Sequence, residues 1–376
     1  MKRLYILLAL ILTALIVSAS FYGAYVYLQS STAPTQTTPP VSTSMTPITT
    51  SDSQSTPTSA PTATPMPTSV TVIDQTGAQV IIPLPVNRIV CLNGGITEII
   101  CALGGENKII GIGGTANWPQ SVNSKPAVGT GSSSINVEAI FEMNPDLIVL
   151  DTAIFSNNVT LDNLMNAGFP VYIDTPGLPD RVNSIVSNFG QILGNQSQAA
   201  KIISNTQYYT NLIRERVQNL TQNEKTTYYY EWGYTWFSAS DLSIIPQILA
   251  NCGGVNICGN ATVTYPTLSA EYVAQANPDI IIAMAPSITN NVTVYQDARA
   301  EMLSRDALRN TGAIEDGRVY IYNYWIATGI EYPVGELYFA KWLYPHLFED
   351  IDPGAIYVQL IQQYFDITPQ GVYAYP

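Results

Sequence analysis

The sequence predicts an α/β fold in which two similar lobes, each built on a central and mostly parallel sheet, are joined by one long rigid helix. Three observations carry this. Residues 135–150 (INVEAIFEMNPDLIVL) recur as residues 268–283 (LSAEYVAQANPDIIIA), with a glutamate at the same place, Glu138 and Glu271, and the same Asn-Pro-Asp. Short aliphatic runs alternate with stretches of helical spacing on either side of residues 181–224. Within 196–221 apolar residues (Ala199, Ile202, Ile203, Tyr209, Leu212, Ile213, Val217) keep helical spacing over many turns, about 40 Å of helix.

The repeated unit reads from end to end. Asn136 and Ser269 have side chains that accept the free amides of a first helical turn, so helices are predicted to start there. Glu138 and Glu271 fall in that turn, where the helix dipole favours a carboxylate. Pro145 and Pro278 push the preceding residue out of helical geometry. The aliphatic runs 147–150 and 280–283 then read as strands covered on both faces.

Other elements follow in order. Residues 70–74 and 79–82 flank Thr76-Gly77 and predict a hairpin. Residues 88–92 are the first buried strand, and 97–103 a helix ended by Gly104-Gly105. Strands are predicted at 109–112 and 171–173, and a helix at 161–167. Helices at 181–193 and from 196 to about 221 lead into the second lobe. There strands at 227–231, 280–283 and 319–322 and helices at 244–251, 333–344 and 355–364 repeat the plan.

The segments ahead of the folded part are of a different kind. Lys2 and Arg3 precede about 25 uncharged residues, 4–28, enough to span a bilayer of about 30 Å with the basic end inside. Residues 1–29 are therefore read as a transmembrane anchor; a cleaved signal peptide ending near Val17-Ser18-Ala19 is the competing reading. Residues 30–69 are three quarters Ser, Thr and Pro, read as a stalk that cannot bury enough apolar surface to fold and that would reach on the order of 100 Å if extended. The N-terminal lobe is then 70–180, the linking helix 181–224 and the C-terminal lobe 225–376. This arrangement puts the folded part on the extracellular face of the membrane. Five Asn-x-Ser/Thr sequons, at Asn158, Asn195, Asn219, Asn260 and Asn291, fit an exported glycoprotein.

A net charge of −13 with only 15 Lys and Arg argues against a nucleic-acid partner. A single histidine, His346, and the absence of Gly-x-Ser-x-Gly, phosphate-loop or His-Glu-x-x-His patterns leave no catalytic or metal-ligating residue to nominate. The four cysteines fall in two local pairs that match neither a redox motif nor a zinc cluster. Cys252 and Cys258 close a short Gly-rich loop and are the expected disulfide; for Cys91 and Cys101 a bridge and two buried thiols are equally open.

From residue 70 to 367 the chain resembles the class III substrate-binding proteins of ATP-driven importers, which capture ferric siderophores, haem and cobalamin. The resemblance rests on the order and spacing of several stretches. These are Val72-Ile73-Asp74 through Gly77 to Arg88-Ile89-Val90, the Glu98 to Gly104 helix and the two Asn-Pro-Asp units. The strand Tyr228 to Trp232, Gly253-Gly254-Val255-Asn256, Gly317-Arg318-Val319-Tyr320 and Ala340-Lys341-Trp342-Leu343-Tyr344-Pro345 complete the series. It implies a ligand cleft between the lobes and no enzymatic activity. It also implies that Glu138 and Glu271, one on each lobe, dock onto arginines of a dimeric ABC permease.

In open α/β sheets ligands sit beyond the carboxyl ends of the strands. The loops there carry Trp118, Trp232, Tyr234, Trp236, Tyr324 and Trp325, large rings suited to a flat or chelated ligand and nominated as ligand-binding. Those loops are nearly free of cations, and Glu331 stands before Tyr332-Pro333-Val334-Gly335 where many relatives have arginine. The expected cargo is a metal chelate, a ferric siderophore-type iron complex, with a corrinoid or haem as alternative and no permanently bound cofactor. A monomeric carrier is expected; a ligand sensor or cell-surface glycoprotein is the reading without transport.

Overall fold

A computed structural model describes residues 67–376; the expected anchor and residues 30–66 of the stalk lie outside the described residues. Among the described residues no helix is long and apolar enough to cross a membrane.

Strands β1 (Ser69–Ile73) and β2 (Gln79–Pro83) form the antiparallel hairpin expected around Thr76-Gly77. Asp74 closes it, its Oδ1 accepting the amides of Thr76 and Ala78. The first sheet combines β3 (Ile89–Cys91), β4 (Ile109–Ile112), β7 (Leu147–Leu150) and β8 (Val171–Ile173) in the order β4-β3-β7-β8, all parallel. Between β4 and β7 lies a small antiparallel ribbon, β5 (Gly129–Gly131) with β6 (Ser134–Ile135). The second sheet, β9 (Thr227–Glu231), β10 (Val255–Asn256), β11 (Ile280–Met284), β12 (Val319–Tyr322) and β13 (Ala374–Tyr375), has the order β10-β9-β11-β12-β13. Only its last strand, beside β12, is antiparallel. Leaving that edge strand aside, the two orders superimpose: β3 matches β9, and β7 matches β11. The duplicated sequence unit is thus the helix and central strand of each sheet.

The helices are α1 (Gly94–Ala102), α2 (Val137–Met143), α3 (Asn158–Asn166), α4 (Pro179–Ile192), α5 (Gln196–Val217), α6 (Ile244–Asn251), α7 (Ala270–Ala276), α8 (Val292–Leu303), α9 (Gly312–Glu315), α10 (Tyr332–Leu343) and α11 (Pro353–Phe365). In the repeated unit Asn136 Oδ1 accepts the Ala139 amide at 3.0 Å and Ser269 Oγ the Tyr272 amide at 3.1 Å, the two expected caps. Both helices end on the asparagine of Asn-Pro-Asp in the left-handed region, Asn144 at φ 42° and Asn277 at φ 46°. Short polar asparagine tolerates that conformation, and the following proline forbids more helix. The aspartate then clamps the neighbouring strand: Asp146 Oδ2 accepts the amides of Asn87 and Arg88, and Asp279 Oδ2 the amide and hydroxyl of Thr227.

Alternate residues of each strand feed different cores. Ile89, Cys91, Leu147, Val149, Tyr228, Tyr230, Ile280 and Ile282 join one continuous core with α1, α4, α5, α6, α10 and α11. The opposite faces have their own cores, Val90, Ile148 and Leu150 under α2 and α3, and Tyr229, Ile281 and Ile321 under α7 and α8. The two lobes therefore share their inner core, which couples them more tightly than a strut alone would.

Several expected boundaries move for local reasons. The linking helix α5 is 22 residues, about 33 Å, because Thr221 and Glu224 form their own capping box and open a new turn before strand β9. It runs back against α4 so closely that a Cβ on Gly190 would lie 2.5 Å from the Ala199 Cβ. Helix α1 begins at Gly94 rather than residue 97, since Asn93 accepts the Ile96 amide and caps it. Helix α8 occupies a stretch with no expected element; its apolar residues (VTVYQDARAEML) are poorly segregated to one face.

The expected Cys252–Cys258 disulfide is absent: all four cysteines are free and buried. Each thiol is drawn to a different neighbour, Cys252 Sγ to the Glu336 carbonyl at 3.4 Å and Cys258 Sγ to Ser238 Oγ at 3.3 Å. Cys91 Sγ likewise donates to the Asn93 carbonyl, so the second pair is two thiols.

Candidate ligand cleft and docking helices

Loops at the carboxyl ends of the two sheets face one another. Gly329, beyond β12, donates its amide to the Pro176 carbonyl beyond β8 at 3.2 Å, and a Cβ on Gly177 would come 2.6 Å from Ile244 Cδ1. On the C-terminal side an aromatic wall follows β9 and β12. Trp232 meets Tyr324 edge-on with centroids 5.4 Å apart and Tyr265 at 5.3 Å; Phe237 stacks on Tyr265 at 6.0 Å, and Tyr234 closes on Phe237 at 6.2 Å. Tyr265 and Tyr234 remain 44% and 74% exposed, so the wall presents open ring surface rather than core. Burial with Tyr265 alongside pushes the Tyr324 hydroxyl up to about 12, so it stays a neutral donor.

The six nominated aromatics do not form one group. Trp232, Tyr234 and Tyr324 share the wall. Trp325, half-buried, follows Tyr324 and gives its amide to Asn323 Oδ1 at 3.0 Å. Trp236 turns to the other face of the sheet, where it stacks on Tyr229 and lies beneath the Arg305 guanidinium, 5.0 Å from its ring centre. Trp118 is only 6% exposed, and its indole donates to Tyr357 Oη at 2.7 Å, so it is spent on packing between α1 and α11. Sequence reasoning misses Phe237 and Tyr265. Tyr265 arrives because Phe237 bridges to Thr267 and the Ser238 amide donates to Pro266, a long-range pairing with no local signature.

The loops that face one another contribute Asn93, Asp151, Thr152 and Thr175 as half-buried polar groups from the N-terminal side, and no lysine or arginine. Asp151 is committed, accepting from Asn93 Nδ2 at 3.0 Å and from the Ala153 amide at 2.9 Å. Behind the wall, on the outer face, a cavity of about 220 Å³ is lined by Gly233, Thr235, Met284, Met302 and Arg305. It is too small for a large chelate. A surface depression of about 470 Å³ is lined by Ile73, Arg181 and Asn188.

Glu138 and Glu271 are both exposed second residues of their helices, at matched positions in the two lobes. Hydrogen bonding by its own backbone amide, then by Ser269, holds the Glu271 carboxyl below its ordinary value. Of the sequons, Asn158, Asn219, Asn260 and Asn291 are exposed. Asn195 is half-buried as the cap of α5, its Nδ2 donating to the Leu103 carbonyl at 3.1 Å, a bond that a glycan would displace.

The profile of the family described as "Periplasmic binding protein" matches residues 89–324. Among curated relatives, the vitamin B12-binding protein of Yersinia pestis (strain Pestoides F) is 25% identical over 209 residues, 55% of this chain and 73% of that protein. The vitamin B12-binding protein of Yersinia pseudotuberculosis serotype O:1b shows the same identity and coverage. Among solved structures, a TroA-like periplasmic binding protein, FepB, from Veillonella parvula has a TM-score of 0.70 at 20% identity, covering 81% of this chain and 99% of its own. A periplasmic heme binding protein from Pseudomonas aeruginosa has a TM-score of 0.58 at 21% identity, covering 70% and 94%. At these identities the structural likenesses establish the fold.

Proposed function

The chain belongs to the periplasmic binding protein family, whose members are ligand carriers rather than enzymes and work with ABC permeases, and on that premise we propose that it captures a metal chelate outside the cell and delivers it to such a permease. The observation that carries the ligand class is the aromatic wall of Trp232, Tyr265, Phe237, Tyr234 and Tyr324, opposite loops without a lysine or arginine. Broad rings bind a large face with little loss of side-chain entropy. A cleft without cations disfavours an anionic siderophore complex and favours a neutral or cationic chelate. A corrinoid satisfies this best, in keeping with the names of the curated relatives; a neutral ferric chelate is the second candidate. Residues 1–29 tether the carrier to the membrane, residues 30–66 hold it clear of the surface, and Glu138 and Glu271 meet the permease, one per lobe.

Each candidate cargo is coloured. Titration of the full chain with cobalamin, haemin and a neutral ferric hydroxamate, followed by tryptophan quenching, is expected to give saturable binding with cobalamin. Saturation by haemin alone, or by none of the three, would sink the ligand reading.

A further inference from the structure

Beneath the facing loops, Glu98 of α1 and Glu331 at the entry to α10 are 5% and 1% exposed. Glu98 Oε1 accepts the backbone amides of Asn117 and Trp118. The Asn117 side chain reaches across the seam, its Nδ2 donating to Glu331 Oε1 at 3.3 Å and to Tyr357 Oη at 3.4 Å. Gly329, two residues before Glu331, packs against the first carboxyl, where an added Cβ would lie 3.5 Å from Glu98 Oε2. Glu331 Oε2 is buried with no hydrogen-bond partner.

The titratable groups facing the two carboxyls are Cys101 on α1, Tyr357 on α11 and Tyr373 in the C-terminal segment; none is a cation. A buried carboxylate without a cation is strongly disfavoured, and two near one another more so. Burial pushes Glu98 up to about 8; burial, and then the charge of Glu98, pushes Glu331 well above the carboxylate range. A proton on Glu331 removes the charge from a carboxyl whose Oε2 has no hydrogen-bond partner.

We propose that Glu98 and Glu331 form a proton-held latch between the two lobes: while the pair keeps a proton the seam beneath the cleft stays closed, and when both ionise the lobes part there. Glu98 belongs to the helix that leaves β3 at the cleft and Glu331 follows the loop that carries Tyr324 and Trp325, so opening would loosen the binding surface. Capture is then tight at acid to neutral pH and weakens in alkali. The latch needs no ligand, so its test and the ligand titrations fail independently.

The test is hydrogen exchange by mass spectrometry on the full chain from pH 6 to 9, corrected for the intrinsic rise in exchange rate, in the wild type and in Glu98→Gln/Glu331→Gln. Peptides containing Asn117, Trp118 and Gly329 are expected to lose protection at least tenfold in the wild type and to keep it in the double variant. Equal loss in both, or no loss in either, overturns the latch. Infrared titration of the wild type covers the case of a variant that does not fold. A carboxylic-acid band is expected to persist at pH 8, and its absence overturns the proposal.

Discussion

Arg305 grips Glu231 with both terminal nitrogens, Nη1 to Oε2 at 2.7 Å and Nη2 to Oε1 at 2.9 Å, at the point where β9 gives way to the loop carrying the aromatic wall. The same carboxylate accepts the Trp236 amide at 2.9 Å and the Tyr229 hydroxyl at 2.8 Å, while Glu301 accepts from Nε and Nη2 along another edge of the guanidinium. Trp236 sits in the left-handed region at φ 61°, a conformation that costs an L-residue about 1–2 kcal/mol and needs such anchoring.

Arg305 is therefore expected to fix the loop from behind. The pair is buried, with side chains 9% and 6% exposed, so Arg305→Gln strands a carboxylate and is expected to lower unfolding free energy by about 3–5 kcal/mol in urea denaturation. Arg305→Lys should recover only part of that, because an ammonium cannot make the forked contact. Equal stability of wild type and Arg305→Gln would show that the network is dispensable.

Trp232 and Trp118 separate binding from packing. Trp232→Ala removes the centre of the wall and should weaken cobalamin binding at least tenfold, besides the stability lost with its half-buried contacts to Tyr230, Tyr265 and Tyr324. Trp118→Phe removes the donor to Tyr357 and should cost about 1 kcal/mol of stability while leaving affinity unchanged. The reverse pattern would move the site to the N-terminal lobe.

The free cysteines make a direct count possible. Burial pushes the Cys91 thiol up to about 11 and the Cys252 thiol far above its ordinary value, so neither offers thiolate to a reagent. Ellman titration is expected to find no reactive thiol in the native chain and four after denaturation. Two after denaturation would restore one disulfide.

Glu336 lies in the shared core, accepting from Thr210 Oγ1 of α5 at 2.7 Å, with its other oxygen unpartnered. Burial pushes its carboxyl up to about 7 from the ordinary 4.5, so the folded chain holds a proton that the unfolded chain releases in that window. The resulting stability is complete below about pH 4.5 and is lost as pH rises towards 7, a contribution of about 3 kcal/mol. Glu336→Gln, neutral throughout, should flatten this part of the profile in urea melts at pH 5, 6 and 7; an unchanged slope would assign the proton elsewhere.

How much of this was legible in the sequence depended on range. Strands 109–112, 147–150, 171–173, 227–231 and 319–322 stand where their aliphatic or aromatic runs put them, because a strand buried on both faces leaves an uninterrupted apolar signature. The caps at Asn136 and Ser269 were readable because capping is a contact within three residues. Tyr265 was not, since its place depends on pairing across the Cys258 loop. The division of Trp232 from Trp236 also escaped, because a left-handed residue within the loop decides which face each ring reaches. Glu98 and Glu331 stood out as helix residues and a departure from relatives; their meeting is a property of the shared inner core.

The paired glutamates give the last prediction. Glu138 and Glu271 are the second residues of helices built alike, each capped by the residue before the helix, ended by an asparagine in the left-handed region and tied by an aspartate to the neighbouring strand. Selection for a helix-start carboxylate alone would not require the same rigid mounting on both lobes. The proposed docking through both lobes needs it, since two fixed charges would have to reach two fixed partners. Glu138→Arg and Glu271→Arg are each expected to reduce ligand delivery to the cognate permease in vesicles at least tenfold, and the double variant to abolish it. Melting temperature should stay within a few degrees, since both side chains are exposed, and cobalamin quenching should be unchanged. Wild-type delivery by the double variant would leave the glutamates as helix-start residues and send the docking surface elsewhere.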